Sequence, residues 1–441
     1  MNYREATEYV KQIQVGAKIK PGLEVTRKLM QLLGDPQAGL SFIHVAGTNG
    51  KGSTAAFISS MYAAAGWKVG RFVSPAVFSE RESIRYEQDG ETVYVTEEEM
   101  ARYLTAILEV VEQMKRCGDG IPTEFEIETA AAFLAFADWQ CDLVVLETGM
   151  GGLLDATNII TTTACAVITP VAMDHMKFLG DTIEQIAAQK AGIIKEHVPV
   201  VMCQHDAAAA ACLSDKCRER GCEWSEVLQK NIRIRESTLS GTRFDYKQYR
   251  DLRISMPGLY QVENACLAIE CAEMLHAPSA GHSPLTEDEI RRGLAGARWR
   301  GRFEVISEMP CVVVDGAHNP DGMNGFLRSV NTYFETEDKV AVMGVFADKD
   351  YHAMAKMIGH TFSQIYTVTP PSERALAAEE LASVLNACAL NEAAKAEKAA
   401  DRAVACGMLS EAFDLAKQHR DAVIFIFGSL SFLKGAYDYW D

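Results

Sequence analysis

The sequence predicts an α/β protein of two domains, each built around a parallel-rich sheet. Short apolar runs alternate with longer helical stretches, which is typical of parallel strands joined by helices. The length of 441 residues exceeds what one hydrophobic core usually organises. The alternation stops at 298–302 and then begins again, so we expect domains at 1–297 and 298–441.

The composition excludes several classes of protein. Hydrophobic residues make up 48% and charged residues 23% of the chain, which leaves no room for a largely disordered or fibrous protein. Acidic residues outnumber basic ones by 60 to 43, the formal charge is −17, and no long basic run interrupts this balance. We therefore expect no nucleic-acid partner.

The sequence also gives no sign of a membrane segment or a secretion signal. The longest apolar stretch, 161–173, is broken by Pro170 and is too short to span a bilayer, and the start of the chain is charged. The 12 cysteines include no C-x-x-C pair, so we interpret them as reduced thiols. The four cysteines within 203–222 are interpreted as packing thiols. These features predict a cytoplasmic protein without a membrane partner.

Apolar runs and capping signals predict the individual elements. Strands of the first domain are expected at 40–45, 68–73, 142–146, 165–169 and 198–203, and helices at 53–65, 96–115 and 126–139. Thr96 and Glu99 form a capping box. Polar strands are expected within 231–255 and a helix at 264–275. In the second domain, we expect strands at 311–314, 339–345, 364–368 and 422–427, and an alanine-rich helix pair within 375–417.

The strongest local signal is a glycine-rich loop between an apolar strand and an apolar helix. It consists of Gly47, Thr48, Asn49, Gly50, Lys51, Gly52 and Ser53. Such a loop binds phosphate because backbone N–H groups and the helix N-terminus attract the anion, and the lysine reaches the outer phosphates. Val45 replaces the first glycine of the usual P-loop, and Gly52 replaces the hydroxyl that binds Mg²⁺. Another oxygen must therefore help to hold the metal ion.

Polar residues at the ends of three predicted strands are candidates for that metal. Ser74 and Glu147 each follow a strand, and Asp174-His175 follow another. Ligands collect at the carboxyl ends of parallel strands, and a hard cation prefers carboxylate oxygen. Each residue alone could equally end a solvated strand. Three such ends beside one phosphate loop favour a metal site.

Lys190 is unusual because it lies on or beside the apolar face of a predicted helix, marked by Ile183, Ile186 and Ala187. A buried ammonium group is costly without a partner. The side chain therefore either reaches solvent, forms an ion pair or has a lowered pKa. In the last case the neutral amine could react with CO₂ and become a carbamate near the metal.

Two loops of the second domain also carry polar residues after strands. Asp315 and His318 leave one strand and precede a predicted helix, and Ser429 follows the last strand. Neither loop contains G-x-G-x-x-G, so a dinucleotide-binding domain is not expected. The absence of a G-x-S-x-G elbow and of an H-E-x-x-H helix excludes two common hydrolase classes.

Together these motifs resemble the folylpolyglutamate synthase and dihydrofolate synthase family, within the Mur ligase superfamily of ATP-dependent amide-forming enzymes. The resemblance spans nearly the whole chain. Besides the phosphate loop it rests on Ser74-Pro75, Glu147-Thr148-Gly149, Asp155-Ala156-Thr157-Asn158, Asp174-His175, 190–195, 257–264, Gly301-Arg302-Phe303-Glu304, 315–320 and Gly428-Ser429-Leu430.

The resemblance implies a central P-loop ATPase domain of the Mur-ligase type and a C-terminal Rossmann-like domain, with ATP and two Mg²⁺ ions between them. By this resemblance Lys51 contacts the phosphates, Ser74 and Glu147 hold one Mg²⁺, and His175 holds the second. Lys190 matches a lysine that is carbamylated in the family. The residues expected to close over ATP are Asn264, Arg302, Asp315 and His318, and those expected near the substrate are Thr123, Phe125, Glu126, Asp155 and Ser429.

The activity that the resemblance implies is addition of L-glutamate to the glutamate tail of a reduced folate, through an acyl phosphate, by a monomeric enzyme. His318 and carbamylated Lys190 are the candidates for accepting the proton of the glutamate ammonium. Three departures bear on the pterin side: Ala76 stands where many relatives have histidine, Leu153 replaces an arginine, and Ser83 interrupts a charged run.

Three alternatives remain open. The first is dihydrofolate synthase activity, alone or combined, which the absence of a histidine at Ala76 puts in doubt. The second is a cell-wall amino-acid ligase, which the position of Gly52 and the Asp-Ala-Thr-Asn run disfavour. The third is a nucleotide-dependent switch, which would have little use for Lys190 or His318.

Overall fold

The computed structural model describes residues 1–14, 22–275, 284–392 and 402–440, and these separate into two compact units. The first unit consists of Met1–Arg233, Asp245–Arg253 and Glu263–Ala297. The second consists of Ile234–Phe244, Ile254–Val262 and Arg298–Asp441. The chain thus passes between the units more than once before residue 298. The division into 1–297 and 298–441 stays a prediction.

The elements alternate between strands and helices along both units. The helices are α1 (Tyr3–Gln14), α2 (Glu24–Leu32), α3 (Lys51–Ala64), α4 (Glu97–Cys117), α5 (Glu124–Asp138), α6 (Met176–Leu179), α7 (Ile183–Lys190), α8 (Ala207–Glu219), α9 (Gln261–Met274), α10 (Glu287–Gly296), α11 (Pro320–Tyr333), α12 (Tyr351–Ile358), α13 (Ala378–Glu392), α14 (Leu409–Ala416) and α15 (Leu433–Trp440). The strands are β1 (Phe42–Ala46), β2 (Val69–Phe72), β3 (Ile84–Gln88), β4 (Glu91–Tyr94), β5 (Leu143–Glu147), β6 (Thr163–Ile168), β7 (Val200–Met202), β8 (Trp224–Glu226), β9 (Ile232–Thr238), β10 (Gly241–Tyr246), β11 (Tyr249–Ile254), β12 (Glu304–Glu308), β13 (Cys311–Val314), β14 (Lys339–Met343), β15 (Gln364–Thr367), β16 (Ala403–Ala405) and β17 (Val423–Phe427).

The first unit is organised around an eight-stranded sheet in the order β4-β3-β2-β5-β1-β6-β7-β8. Six consecutive strands of this sheet, β2-β5-β1-β6-β7-β8, pair in parallel. The strands β3 and β4 add an antiparallel edge next to β2. In the register of the central strands, Val45 lies opposite Glu147 and Ala46 lies opposite Ile168. The carboxyl ends of β1, β5 and β6 therefore reach the same edge of the sheet, and the loops that follow them meet there.

Apolar clusters lie on this sheet and its helices. One includes Phe42, Phe72, Phe133 and Phe136, all fully buried, together with residues of α1, α2 and α4. Another joins β6 and β7 to α7 and α8. The predicted capping box at the start of α4 is confirmed, since Glu99 N donates to Thr96 Oγ1 at 3.1 Å and the Glu99 side chain accepts from Thr96 N. It satisfies backbone donors that have no partner within the helix.

Polar strands predicted within 231–255 are confirmed as β9, β10 and β11, which form a separate three-stranded sheet in the order β11-β10-β9. The side chains of β9 are exposed or half-buried along its whole length. Neither face of β9 is fully buried, although Ile232 and Ile234 share one face of the strand.

The second unit is built on a six-stranded sheet in the order β12-β13-β17-β14-β15-β16. All neighbours are parallel except β12 and β13. Phe326 of α11 packs on this sheet, with its ring 4.6 Å from that of Phe427 and 6.0 Å from that of Phe425, measured between centroids. The predicted α/β class with parallel-rich sheets is confirmed.

The prediction of a helix pair within 375–417 is wrong in one respect. The helices α13 and α14 are present, but β16 lies between them and pairs in parallel with β15. Its sequence is Ala403-Val404-Ala405, and alanine has little intrinsic preference for a strand. Pairing with the sheet edge, which the local sequence does not encode, decides its conformation. Part of the predicted region, 393–401, lies outside the described residues.

No helix among the described residues is both long enough and apolar enough to cross a membrane.

Phe326→Ala should destabilise the second unit by about 3–5 kcal/mol, because it removes a buried ring and leaves a cavity among aromatic neighbours. Chemical denaturation followed by fluorescence measures the change. Phe178→Ala is the matched control, since that side chain is 68% exposed and its loss should change the free energy of unfolding by about 0.5 kcal/mol or less. Equal effects in the two variants would contradict the packing described for Phe326.

Candidate active site

The glycine-rich loop connects β1 to α3, where the sequence predicts it. Gly50 precedes α3 with φ 87°, and Gly47 has φ 149°, conformations that side-chain-bearing residues rarely adopt. Thr48 fastens the loop to the segment after β6: its N–H donates to Pro170 O at 2.9 Å, its hydroxyl donates to Ala172 O at 3.1 Å, and Ala172 N donates back at 3.0 Å. These hydrogen bonds fix the position of the loop at the N-terminus of a 14-residue helix.

Lys51 is the first residue of α3 and folds back over the loop. Its Nζ donates to Thr48 O at 3.3 Å and lies 3.7 Å from Glu147 Oε1. Glu147 is the last residue of β5 and its side chain is only 5% exposed. The structure therefore brings the predicted phosphate lysine and the predicted metal carboxylate together. The other loop residues, Asn49, Gly52 and Ser53, line the turn and the start of α3.

Lys190 lies at the end of α7 and is 4% exposed. Its Nζ donates to Gly47 O at 2.7 Å, so a buried amine contacts the backbone of the phosphate loop. Burial, together with the positive charge of Lys51, lowers the pKa of Lys190 to about 7, against the opposing influence of Asp174 and Asp155. The helix spacing placed Lys190 on or beside an apolar face and left open whether its amine reaches solvent. The structure buries the side chain, and the hydrogen bond to Gly47 O explains how the amine is accommodated.

The other predicted metal ligands follow β2 and β6, which lie on either side of the central pair β5 and β1. Ser74 comes two residues after β2, is half-buried, and precedes a cis Ser74–Pro75 peptide bond. His175 follows β6 in the left-handed region, φ 49°, with its N–H donating to Asp174 Oδ1 at 2.8 Å. The His175 Nε2 lies 3.9 Å from Asp174 Oδ2. Asp174 is thus a carboxylate placed beside the imidazole.

Asp155 anchors the loop that follows β5. Its carboxylate accepts from Met150 N at 2.8 Å, Thr157 N at 3.1 Å and Thr157 Oγ1 at 2.5 Å. The hydroxyl of Thr157 lies 2.8 Å from His44 Nε2. Burial raises the pKa of Asp155, and burial and Lys195 lower the pKa of His44 to about 3. This buried chain of polar groups fixes the path of the segment after Glu147.

Thr123, Phe125 and Glu126 form the start of α5. Thr123 caps the helix, and Glu126 accepts from Thr123 N at 2.7 Å and from Thr26 Oγ1 at 2.5 Å. The half-buried Phe125 ring packs 5.9 Å from that of Phe72 and against Gly149, where an added Cβ would lie 2.6 Å from the ring. Among these three, Phe125 is the side chain that contacts the loop after Glu147.

Asn264 of α9 reaches the phosphate loop within the first unit. Its Oδ1 accepts from Thr54 Oγ1 at 3.4 Å, and a Cβ added to Gly50 would lie 2.4 Å from the same oxygen. Asn264 is predicted to lie near the glycine-rich loop, and the structure shows it in direct contact with that loop.

Within the second unit, Asp315 organises the loop after β13. It accepts hydrogen bonds from Tyr260 Oη at 2.6 Å, Phe303 N at 2.8 Å and Ala317 N at 2.7 Å. Burial raises the pKa of this carboxyl despite those donors. Arg302 lies over the same loop, since a Cβ added to Gly316 would be 2.3 Å from its Nη1.

His318 and Ser429 end two neighbouring loops of that unit. His318 Nδ1 lies 2.8 Å from Gly316 O. A carbonyl oxygen can only accept, so Nδ1 carries the hydrogen and Nε2 of the neutral ring is an acceptor. The hydroxyl of Ser429 accepts from Ser431 N at 3.3 Å and caps the short turn after β17.

Comparison with known proteins agrees with this geometry. The Mur ligase middle domain matches residues 45–272, and the glutamate ligase domain of Mur ligases matches 301–430. The dihydrofolate synthase/folylpolyglutamate synthase of Bacillus subtilis is 36% identical over 82% of this chain and 84% of its own length. The chain belongs to the Mur ligase family, in its folylpolyglutamate synthase/dihydrofolate synthase branch.

Two further comparisons support the same branch. The folylpolyglutamate synthase of Lacticaseibacillus casei is 38% identical over 85% of this chain and 87% of its own. The structure of Mycobacterium tuberculosis folylpolyglutamate synthase complexed with ADP and AMPPCP aligns with TM-score 0.85 at 27% identity, covering 100% of this chain and 99% of that one. Like other members of the family, this Mur ligase is an ATP-dependent, amide-forming enzyme.

The site of this Mur ligase also contains a residue that sequence reasoning missed. Thr169 follows β6, and a Cβ added to Gly47 would lie 1.8 Å from its Oγ1. That hydroxyl is buried and has no hydrogen-bond partner within the part of the chain described. The only signal in the sequence was a polar residue at a strand end, and its proximity to Gly47 depends on the pairing of β1 with β6.

Gly50→Ala should weaken nucleotide binding at least tenfold, because the new methyl group would meet Asn264 Oδ1 and disturb the phosphate loop. Gly66→Ala is the matched control: its φ is 89°, similar to that of Gly50, but nothing lies within 4 Å of its added Cβ. Both variants should lose about 1–2 kcal/mol of stability from backbone strain. Calorimetric titration with ADP separates them, and normal affinity in Gly50→Ala would contradict the contact.

Proposed function

We propose that this chain joins L-glutamate to the terminal carboxylate of a reduced folate, converting ATP to ADP and phosphate. The observation that carries the proposal is the convergence of Lys51, Glu147 and the buried Lys190 on one phosphate loop. Membership in the Mur ligase family and the names of the related enzymes support the same reaction. AMPPCP, present in the related mycobacterial structure, is an ATP analogue, which supports ATP as the nucleotide.

The loop residues supply the groups that a triphosphate requires. The N-terminus of α3 and the backbone N–H groups after Gly47 attract the phosphate oxygens, and Lys51 neutralises the charge that develops on the transferred phosphoryl group. The existing Lys51–Glu147 interaction keeps the ammonium group beside the loop before the nucleotide arrives. Less reorganisation is then needed when ATP binds.

The donor set of the first unit fits magnesium. We assign Ser74 and Glu147 to one Mg²⁺, and His175 to a second, with Asp174 beside it. Oxygen donors predominate, as a hard cation requires, and the Asp174 carboxylate supplies the oxygen that an imidazole lacks. Bound Mg²⁺ would neutralise charge on the phosphate oxygens.

The reaction that we propose proceeds in two steps. The folate carboxylate takes the γ-phosphoryl group of ATP, and ADP leaves, giving an acyl phosphate. The amine of glutamate then attacks the carbonyl carbon, and phosphate leaves as the amide forms. The glutamate ammonium must lose a proton before attack. His318 is suited to accept it because the hydrogen bond of Nδ1 to Gly316 O leaves Nε2 as an acceptor.

We further propose that Lys190 is carbamylated. A lysine pKa of about 7 leaves a substantial neutral fraction at physiological pH, and only the neutral amine reacts with CO₂. The N–H that remains on a carbamylated nitrogen can still donate to Gly47 O. The carbamate would also exchange a cation for an anion close to Lys51, whose positive charge disfavours a second ammonium group.

The remaining assignments stay predictions. The residues assigned to the substrate are Thr123, Phe125, Glu126, Asp155 and Ser429, with the segment 123–126 and the loop after Pro75 on the side of the pterin. Arg302 and Asp315 are assigned to ATP. We propose that the enzyme acts as a cytoplasmic monomer.

Lys190→Ala should lower the rate of ligation by about 10²–10³-fold and leave the fold intact. ADP release with Mg²⁺, ATP, bicarbonate, tetrahydrofolate and glutamate measures the rate. If the group is a carbamate, formate or acetate should restore part of the activity of Lys190→Ala, and methylamine should not. Rescue by methylamine alone, or an unchanged rate, would rule out the carbamate. Lys195→Ala is a control for removal of a nearby lysine, whose Nζ instead contacts Asn158 Oδ1 at 2.6 Å.

The second candidate activity is dihydrofolate synthesis, which the name of the Bacillus subtilis relative includes. The feature against it is Ala76, at a position where the family resemblance implies a histidine in enzymes with this activity. The purified enzyme should release ADP with tetrahydrofolate and glutamate but at least tenfold more slowly with dihydropteroate. Ala76→His should narrow that difference. Equal rates with both acceptors would show a bifunctional enzyme, and no turnover with either would contradict the proposed folate substrate.

A further inference from the structure

A second group of metal-ligating side chains lies on the first unit, apart from the magnesium ligands assigned above. Cys203 and His205 follow β7, and Glu263 belongs to the first turn of α9. The His205 Nε2 lies 2.8 Å from Glu263 Oε2, and the Cys203 Sγ lies 3.9 Å from that oxygen and 4.0 Å from the imidazole nitrogen. We propose that these three residues bind a divalent transition-metal ion of the zinc class.

The spacing of the donor atoms fits one ion. Zinc bonds of about 2.3 Å to sulfur and about 2.0–2.1 Å to nitrogen or oxygen, in tetrahedral geometry, place the donors about 3.3–3.6 Å apart. The observed separations of 2.8, 3.9 and 4.0 Å lie on either side of that range. Side-chain rotations that move each donor by about half an ångström would bring all three into coordination distance.

The chemistry of the donors selects the ion. A thiolate and an imidazole are ligands for zinc and its neighbours, whereas Mg²⁺ and Ca²⁺ prefer oxygen alone. When the ion binds, the Cys203 thiol releases its proton to solvent, and the thiolate and the Glu263 carboxylate together balance the two positive charges. The His205 side chain is 49% exposed, so the ion can enter from solvent and water can take the fourth position.

Neighbouring side chains hold the three ligands in place. Gln204, between the two ligands of the β7 loop, points elsewhere: its Nε2 donates to Thr169 O at 3.1 Å and its Oε1 accepts from Val171 N at 3.0 Å. Gln229 Nε2 donates to Oε1 of Glu263, which directs Oε2 towards Cys203 and His205. Hydrogen bonds of this kind orient metal ligands in known sites.

Cys203 is one of the four cysteines within 203–222 for which the sequence predicts a role as packing thiols, and the structure separates it from the other three. Cys212, Cys217 and Cys222 pack with the apolar residues of α7 and α8, as expected of packing thiols. Cys203 instead lies beside a histidine and a carboxylate from a segment 60 residues away. Sequence spacing alone could not bring Glu263 to this position.

The ion would connect the end of β7 to the start of α9. The residue after Glu263 is Asn264, whose side chain contacts Thr54 and lies against Gly50 of the phosphate loop. A metal at this place would therefore fix the N-terminal turn of α9 and, through it, the position of Asn264. Its contribution is structural, and the magnesium ligands are separate residues.

Cobalt(II) provides the test, because a thiolate bound to Co²⁺ gives a charge-transfer absorption in the near ultraviolet. The full chain, stripped of metal with a chelator, should bind one Co²⁺ with this absorption, and Zn²⁺ but not excess Mg²⁺ should displace it. Cys203→Ser and His205→Ala should abolish the absorption or weaken Co²⁺ binding at least tenfold. Cys212→Ser, which alters a thiol outside the cluster, should retain it. No absorption in the wild type, or equal absorption in all variants, would overturn the proposal.

Thermal unfolding gives a second readout that does not depend on cobalt. Zn²⁺ should raise the Tm of the wild type and of Cys212→Ser, since an ion that binds only the folded chain stabilises it. The same addition should leave the Tm of His205→Ala unchanged. His205 is exposed, so this variant should fold normally, and its Tm without metal checks that it does. An equal zinc-induced shift in His205→Ala would contradict the assignment of His205 as a ligand.

Discussion

The parallel register of β1 with β5 and β6 is the constraint on which the site depends. Because Val45 lies opposite Glu147 and Ala46 opposite Ile168, the phosphate loop, the Glu147 carboxylate and the loop after β6 leave the sheet at the same level. A slip of one residue would turn each side chain to the other face of its strand. The interaction of Lys51 with Glu147 and the position of Thr169 beneath Gly47 both follow from this register.

Burial of polar groups at this edge carries a cost, and the structure offsets it with specific partners. Lys190 donates to Gly47 O, Asp155 accepts three hydrogen bonds, and His44 contacts Thr157. An unpaired group at any of these positions would destabilise the fold, because desolvation would no longer be compensated. The same partners hold the loops rigid, so the groups expected to act on ATP are positioned before it binds.

In the second unit, a buried polar group is likewise stabilised by specific hydrogen-bond partners. Asp315 gathers donors from Tyr260, Phe303 and Ala317, so that one buried carboxylate fixes three segments of the chain. His318, three residues later, is held by a short hydrogen bond within that loop. The proposed proton acceptor therefore owes its orientation to a turn whose shape Asp315 maintains.

The sequence by itself determined the α/β class, the phosphate loop, most strands and the capping box of α4, because each depends on neighbouring residues and a short repeat. Helical spacing also placed Lys190 on or beside an apolar face, but it did not decide between an amine that reaches solvent and a buried one. Only the tertiary structure decided that Lys190 contacts Gly47, that Thr169 lies under the loop, that β16 is a strand, and that Glu263 meets Cys203 and His205. These contacts join residues distant in the chain, and their geometry is set by sheet pairing and packing, which no local pattern encodes.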